Sequence, residues 1–262
     1  MDALFGGIVM GESVRWHEGH VWFCDWGAGE VIRVDDGSPV VVTRVADGLP
    51  FCIDWTPSGA LLLLDGPRAR LLADGAVRAD LSGIDGSHPW NDIVVDARGN
   101  AFVNNIGYDF PGGAPSTGLI AVVRPDGEAS LAADGLHFPN GMAVLGSTLV
   151  VAESHAARLT AFDIANDGSL NNRREWASLP GGAPDGLCAA ADGSVWYADV
   201  PNRHCRQVRE GGEVVRTVEL PDGAFDCALS GDGKTLYAVT ADYTNPAAMF
   251  TGRTGRMFAV PL

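Results

Sequence analysis

Acidic and amide residues recur at comparable points of this 262-residue chain, six to eight positions before a glycine. Glu12, Asn91, Asn140 and Asp185 stand at four of these points, and Asp226 stands at a fifth. Asparagine and aspartate are poor strand formers, and a single Asn-Gly or Asp-Gly pair most often marks only a turn. The recurrence of these residue types at equivalent points of the repeat indicates a shared function instead. Carboxylate and amide oxygens are the ligands that Ca²⁺, Mn²⁺ and Mg²⁺ prefer, and Zn²⁺ also accepts them. The pattern therefore predicts one divalent-cation site.

The elements that would position these residues are six copies of one short apolar segment. The glycines that precede the copies are separated by 40, 40, 47, 47 and 40 residues. The copies are VWFCDW, ALLLLD, NAFVNN, TLVVAE, SVWYAD and TLYAVT, and each is followed by a second strand-like stretch. No stretch has a sustained apolar repeat of 3.6 residues, so long helices are not expected. A repeat of about 40–50 residues with several strands per unit is typical of a β-propeller blade.

We therefore predict an all-β chain that forms a single six-bladed β-propeller domain over residues 1–262, with four-stranded blades. The last copy ends with RMFAVPL, one strand short of a full blade. Residues 4–10 are predicted to supply the missing outer strand, so that the two termini close the ring and protect its edges. Two packed β-sandwiches with coincidental spacing are the alternative. In a propeller the first strand of each blade lines the central tunnel, which brings the candidate ligands to one tunnel mouth.

The charge balance limits the partners that we expect. Acidic residues outnumber basic ones by 33 to 18, which gives a formal net charge of -15. Such a surface repels phosphate backbones and anionic lipid, so neither nucleic acid nor a membrane is an expected partner. The N-terminus does not resemble a signal peptide, and the five scattered cysteines fit reduced thiols in a cytoplasmic protein. A small-molecule substrate is the expected partner, and the oligomeric state stays open.

Four segments of the chain resemble the motifs of a known family. GESVRW, PWNDIVVDARGNAF, FPNGMAV and PDGLCAAADGSVWYAD resemble, in this order, those of the SMP-30/gluconolactonase/luciferin-regenerating family. The resemblance spans essentially the whole chain. It implies a six-bladed propeller that holds one divalent metal ion and, in most characterised members, hydrolyses lactones. It matches Glu12, Asn140 and Asp185 to the family's metal ligands and Asp185 also to its general base. Asn91 matches an asparagine that touches the substrate and, in related propellers, the metal.

Two departures from the family pattern concern the recognition of sugar acids. Sugar-lactonase members often carry an arginine two residues before the position of Asn91, where it holds substrate oxygens, whereas this chain has Pro89. A glutamate on the following loop of the family has no counterpart before Glu128, and Asp109 is the candidate substitute. Because proline has no donor with which to bind substrate oxygens, we expect a substrate less polar than gluconolactone.

The direction of the strands indicates which residues surround the candidate ligands. In an antiparallel hairpin the second strand ends beside the start of the first, so residues that follow the second strands lie at the same tunnel mouth. The expected substrate contacts are Asn91, Trp90, Asn105, Tyr108, Asp109 and His155. Tyr108 and Asp109 belong to loop 107–117, which either covers the site or is an ordinary surface loop. Trp90 either presents a flat apolar wall or packs between blades.

The sequence thus favours a divalent-metal-dependent hydrolase that acts on a lactone or a related cyclic ester. The metal would polarise the carbonyl while Asp185 activates water, so Asp185 and Glu12 are the expected catalytic residues. One alternative is a propeller that binds a metal or another ligand without catalysis, because the fold alone does not imply a reaction. The other is a related propeller hydrolase that acts on a different bond, such as a phosphotriester.

Overall fold

The computed structural model describes residues 2–46, 48–245 and 249–262. Within these ranges the chain forms six four-stranded antiparallel sheets, and the predicted six-bladed all-β propeller is confirmed. Helical structure in the described residues is limited to two 3₁₀ turns, Gly66–Arg68 and Ser154–Ala156. No helix in this part of the chain is long and apolar enough to cross a membrane.

In each of the first three blades the four strands follow one another from the tunnel outward. Blade 1 contains β2 (Gly11–His17), β3 (His20–Asp25), β4 (Glu30–Asp35) and β5 (Ser38–Arg44). Blade 2 contains β6 (Phe51–Trp55), β7 (Leu61–Asp65), β8 (Arg70–Ala73) and β9 (Ala76–Asp80). Blade 3 contains β10 (Trp90–Val95), β11 (Ala101–Asn105), β12 (Gly118–Val123) and β13 (Ala129–Leu136).

The next two blades repeat this order, and the last blade takes its outer strand from the N-terminus. Blade 4 contains β14 (Pro139–Leu145), β15 (Thr148–Glu153), β16 (Arg158–Ile164) and β17 (Leu170–Ser178). Blade 5 contains β18 (Pro184–Ala189), β19 (Val195–Asp199), β20 (His204–Val208) and β21 (Val214–Glu219). Blade 6 contains β22 (Gly223–Leu229), β23 (Thr235–Ala241), β24 (Gly255–Pro261) and β1 (Phe5–Ile8).

The two ends of the chain close the ring, as the sequence predicted for residues 4–10. Strand β1 pairs antiparallel with β24, with Phe5 opposite Met257. Each inner strand contacts the inner strand of the next blade, and β22 contacts β2. Closure gives the last blade its fourth strand and covers an edge that would otherwise be open to pairing with another chain.

The apolar core is divided among the interfaces between blades. Six clusters of buried side chains occur in the described residues, one between each pair of neighbouring blades. Between blades 2 and 3, for example, Leu64, Trp90 and Ile93 are fully buried against one another. Burial of this apolar surface is the main force that holds neighbouring blades together. The inner strands are thereby fixed around the tunnel.

Asp-Gly and Asn-Gly pairs take two different structural roles in this chain. Between β4 and β5, Asp36 and Gly37 both have positive φ angles, 49° and 75°, which suit a tight hairpin turn. Gly141 and Gly186, by contrast, lie within the inner strands β14 and β18. A Cβ atom at Gly141 would stand 2.5 Å from the carbonyl oxygen of Asp185. These two glycines therefore permit close approach of two inner strands rather than a turn.

Candidate functional site

Irregularities in the inner strands present the candidate ligands to the tunnel. The register of the inner hairpin shifts at Glu12, between Trp90 and Asp92, and after Pro139 and Pro184. A β-bulge of this kind re-aims side chains and is frequent beside functional sites. Glu12, Asn91, Asn140 and Asp185 all stand at these irregular strand starts. The spacing seen in the sequence thus corresponds to one repeated local geometry.

The bulged strands surround a small polar cavity on the tunnel axis. Its volume is about 10 Å³, room for a single water molecule or a small ion. The lining residues are Glu12, Trp26, Cys52, Asn91, Asp92, Asn140, Gly141, Gly186 and Asp226. Asp185 is the residue before Gly186, which lines the cavity. The charge of Asp185 acts on Glu12. The structure therefore brings the four candidate ligands together from four blades.

The two carboxylates of this group are buried among like charges. Glu12 is 8% exposed and Asp185 is 7% exposed. Burial raises the pKa of Glu12 well above its ordinary value, and the neighbouring carboxylates of Asp185, Asp226 and Asp92 raise it further. Burial and the charge of Asp226 likewise raise the pKa of Asp185. A cation in the cavity would offset this accumulation of negative charge.

The two amide side chains are held in place by hydrogen bonds between blades. Asn91 donates from Nδ2 to Oδ1 of Asn140 over 3.2 Å, and Asn104 donates to the backbone oxygen of Asn140 over 2.7 Å. The thiol of Cys52 donates to the backbone oxygen of Asn91 over 3.0 Å. Ser154 accepts from Nδ2 of Asn140 over 3.4 Å. Both amides therefore belong to a network that keeps their oxygen atoms near the cavity.

The donor set fits a hard divalent cation in its chemistry. Oδ1 of Asp185 is buried and has no hydrogen-bond partner, an unfavourable state for a carboxylate oxygen unless another group binds it. Two carboxylates and two amides supply only oxygen ligands, as Ca²⁺ and Mg²⁺ require. No group of three or more His, Cys, Asp and Glu side chains in the described residues is arranged to hold a metal. A metal held here would therefore bind amide oxygens beside the two carboxylates.

The predicted substrate contacts fall into two groups in the structure. The side chains of Trp90 and Asn105 are fully buried. Trp90 packs between blades 2 and 3, one of the two positions the sequence allowed, and donates from Nε1 to the backbone oxygen of Asp85. Asn105 donates from Nδ2 to the Asp85 carboxylate over 3.2 Å. Neither side chain offers free surface to a substrate in this conformation.

The other predicted contacts belong to an aromatic cluster beside Asn140. The ring centres of Phe138 and His155 are 4.5 Å apart, and those of Tyr108 and His155 are 6.2 Å apart. Phe110, 53% exposed, packs edge-on against Phe138 at 5.3 Å. Tyr108 is buried, whereas Asp109 and His155 are exposed. Burial and the neighbouring His137 lower the pKa of His155, which favours its neutral ring.

Three charged residues near the cavity were not recognised as functional from the sequence. Asp92 and Asp226 line the cavity, and Arg15 forms ion pairs with both, at 3.0 Å and 3.4 Å. In the sequence, Asp226 stands out only as a fifth repeated position. An arginine at position 15, within the first strand of blade 1, is the signal in the sequence that could have indicated this network.

The fold and the cavity define the class of protein: a six-bladed propeller with a buried cluster of carboxylate and amide side chains between its inner strands. A family model described as "SMP-30/Gluconolactonase/LRE-like region" matches residues 10–242. The chain belongs to this family, which confirms the resemblance seen in the sequence motifs.

Two named proteins are similar to this chain in sequence. Regucalcin from Xenopus laevis is 26% identical over 249 residues, which cover 88% of this chain and 83% of that protein. Diisopropyl-fluorophosphatase from Loligo vulgaris is 26% identical over 152 residues, 50% of this chain and 47% of that protein. At these identities the comparisons support relatedness without fixing a substrate.

Solved structures share the fold over nearly the whole chain. A gluconolactonase from Xanthomonas campestris superposes with a TM-score of 0.76 and 22% identity, covering 99% of this chain and 88% of that chain. A regucalcin from Agrobacterium tumefaciens, described as a calcium-binding protein, superposes with a TM-score of 0.79 and 18% identity. The superposition covers 98% of this chain and 92% of the regucalcin chain.

Proposed function

We propose that this protein is a divalent-metal-dependent hydrolase that acts on a lactone or a related cyclic ester. The observation that carries the proposal is that Glu12, Asn91 and Asn140 line one small cavity from three blades, while the charge of Asp185, from a fourth blade, acts on Glu12. The names of relatives, a gluconolactonase and a calcium-binding regucalcin, support the reaction and the cation. The free cysteines of the chain suit a reducing, cytoplasmic setting.

Glu12, Asn91, Asn140 and Asp185 would hold the cation, with carboxylates supplying the charge and amides supplying neutral oxygen atoms. Ca²⁺, Mn²⁺, Mg²⁺ and Zn²⁺ are all compatible with such ligands. When bound, the cation would supply polarisation of the ester carbonyl and stabilisation of negative charge on its oxygen. The hydrogen bonds of Asn104 and Cys52 to the backbone of these amides keep the set in place before a substrate arrives.

Asp185 is the proposed general base. Asp185 would bind the cation through one carboxylate oxygen and use the other to accept a proton from water. Glu12 shares the cavity and contributes the second negative charge, which helps to retain the cation. Both carboxylates are almost fully buried, which strengthens their interaction with a bound cation. These two residues are the proposed catalytic pair.

The aromatic cluster beside Asn140 favours a substrate with an apolar substituent. Tyr108, Phe110 and Phe138 form an apolar surface near the mouth, and Pro89 offers no donor to the hydroxyl groups of a sugar acid. Phe110 is half exposed, so an alkyl or aryl group that covers it would gain apolar contact. We propose an alkyl- or aryl-substituted lactone as the substrate class.

A chelator experiment tests the proposal. Purified protein is analysed for bound metal and assayed against a panel of lactones with and without chelator, alongside Asp185→Asn and the control Asp163→Asn. Asp163 pairs with Arg174 on outer strands and is about half exposed, so its substitution removes a carboxylate away from the tunnel. We expect metal-dependent turnover that Asp185→Asn abolishes and Asp163→Asn preserves. Turnover that survives complete removal of metal contradicts the proposal.

The relationship to diisopropyl-fluorophosphatase supports a second candidate function, hydrolysis of a phosphotriester at the same site. The same purified protein is therefore assayed with phosphotriesters under identical metal conditions. A phosphotriester kcat/KM above that of every lactone tested would favour this second function. Metal binding with no turnover of either class would favour a binding propeller without catalysis.

A further inference from the structure

A guanidinium group lies in the tunnel between two cavities. Arg15 forms ion pairs with two residues that line the small polar cavity, Asp92 and Asp226. Arg15 itself lines a second, largely apolar cavity of about 240 Å³ on the tunnel axis. Its side chain is only 14% exposed. A cation buried this deeply requires fixed partners.

The hydrogen bonds of Arg15 connect three blades. Nη2 donates to Oδ1 of Asp92 over 3.0 Å and to the backbone oxygen of Ile93 over 2.8 Å, both in blade 3. Nη1 donates to Oδ2 of Asp226 over 3.4 Å, in blade 6, and to the backbone oxygen of Val14 over 3.0 Å, in blade 1. The planar fork of a guanidinium can bridge two carboxylates in this way, whereas an ammonium group acts as a single point.

The two carboxylates also hold the backbone of the bulged strands. Oδ2 of Asp226 accepts the amide of Val14 over 2.5 Å, and Oδ2 of Asp92 accepts the amide of Met142 over 3.1 Å. Val14 lies in the bulge that carries Glu12, and Met142 ends the irregular stretch that carries Asn140. A bulge leaves some backbone N–H groups without a hydrogen-bond partner in the neighbouring strand. The carboxylates of Asp226 and Asp92 accept hydrogen bonds from two of these N–H groups.

We propose that Arg15 is a positioning residue that clamps the bulges carrying Glu12 and Asn140. It fixes Asp92 and Asp226, and these carboxylates in turn fix the amides of the two bulges. Because Glu12 and Asn140 stand in blades 1 and 4, a single side chain orders ligands that the chain places 128 residues apart. The assignment of those two residues as ligands rests on the proposed function, whereas the clamp itself rests on the hydrogen bonds.

Amide hydrogen exchange of the metal-free protein tests the clamp directly. Arg15→Met removes the charge and the fork, and Arg15→Lys retains the charge alone. In both variants we expect exchange at Val14 and Met142 to become at least about tenfold faster than in the wild type. The matched control is Arg174→Met, since Arg174 lies on the outer strand β17 and bridges Asp163 on β16 and Glu210 in the turn between β20 and β21.

An internal reference separates a local effect from general loosening. The amides of Val9 and Met10 donate to the carboxylate of Asp25, which has no hydrogen bond to Arg15 among the described residues. Their protection should stay at the wild-type level in Arg15→Lys. Unchanged exchange at Val14 and Met142 in Arg15→Lys overturns the two-point clamp, and so does equal acceleration at Val9 and Met10. The lysine variant decides the question even if Arg15→Met does not fold.

The spectrum of bound Mn²⁺ connects the clamp to the proposed site. We expect the wild type and Arg174→Met to give identical electron paramagnetic resonance spectra. The spectrum of Arg15→Lys should be broadened, because its ligands are disordered. An identical spectrum in Arg15→Lys contradicts the positioning role. If the wild type binds none of Mn²⁺, Ca²⁺, Mg²⁺ and Zn²⁺, the proposed metal function fails, while the exchange experiment still decides whether the clamp exists.

Discussion

A methyl group added to Gly141 should disturb the fold at the point where two candidate ligands stand. Its Cβ atom would lie 2.5 Å from both the carbonyl oxygen of Asp185 and the amide nitrogen of Leu187. It would also lie 2.6 Å from the Cα atom of Gly186. Ordinary contacts to a Cβ atom begin near 3.4 Å, so strands β14 and β18 would have to separate by almost 1 Å. All three obstacles are backbone atoms, which cannot rotate away.

The expected cost follows from this geometry. Overpacking of a well-packed interior destabilises a protein by about 1–3 kcal/mol. For a chain of this size each kcal/mol lowers Tm by about 2 °C, so Gly141→Ala should melt about 2–6 °C below the wild type. Because the separation moves Asn140 away from Asp185, metal affinity should fall as well.

Thermal unfolding with chelator and with added Ca²⁺ or Mn²⁺ measures both effects. Gly83→Ala is the matched control, since a Cβ atom there meets no heavy atom within 4 Å and the backbone φ is not positive. Its Tm should equal that of the wild type within about 1 °C. A Gly141→Ala protein as stable as Gly83→Ala, with unchanged metal affinity, would refute the close backbone contact.

Three further predictions concern the ligands, the substrate and the pH dependence of stability. Alanine at Glu12, Asn140 or Asp185 should reduce bound metal to well below one ion per chain and remove the metal-dependent rise in Tm; full occupancy in all three variants would exclude the shared site. An alkyl-substituted lactone should have a higher kcat/KM than gluconolactone, because each unpaired buried hydroxyl costs about 1–3 kcal/mol. A tenfold preference for gluconolactone would reverse this conclusion and make His88 and Asp109 the next residues to mutate. Burial raises the pKa of Glu153, but hydrogen bonds from Arg158, the amide of His137 and Thr160 outweigh it, so its folded pKa lies below the unfolded value. Its stabilising effect is therefore present above about pH 4.3 and is lost as the pH falls through the folded pKa. Glu153→Gln should lower Tm at pH 7, and the Tm difference from the wild type should disappear in acid. A Tm difference that is the same at every pH would contradict this assignment.

The repeat of the sequence was sufficient to predict the architecture. Spacings of 40 to 47 residues between equivalent glycines predicted six blades, and the missing strand of the last repeat predicted closure by residues 4–10. The first prediction depends on local patterns, because five blades are built from four consecutive strands each. The second depends on the strand that the last repeat lacks, which β1 supplies from the other end of the chain. The same regularity identified Glu12, Asn91, Asn140 and Asp185 as a group, since equivalent positions of repeated units occupy equivalent places around the axis.

Contacts between blades could not be predicted from the repeat. The sequence leaves both a wall and a packing role open for Trp90, and its burial between blades 2 and 3 agrees with packing. Asn105 was expected at the rim, and its side chain is fully buried instead. Side-chain exposure depends on what the next blade and the covering loops place against a residue, and no local pattern carries that information.

The sequence by itself determined the fold and the closure of the ring, because a repeat encodes each blade through its own neighbours and the incomplete last repeat requires a strand from the other end. It also identified the candidate ligands as a group of equivalent positions. The tertiary structure decided the role of Arg15, which joins Asp92 and Asp226 across a separation of 134 residues. It also decided that Gly141 and Gly186 serve close strand packing rather than turns. These features arise where strands distant in the chain meet at the axis, so only closure of the ring brings their atoms within hydrogen-bond and contact distance.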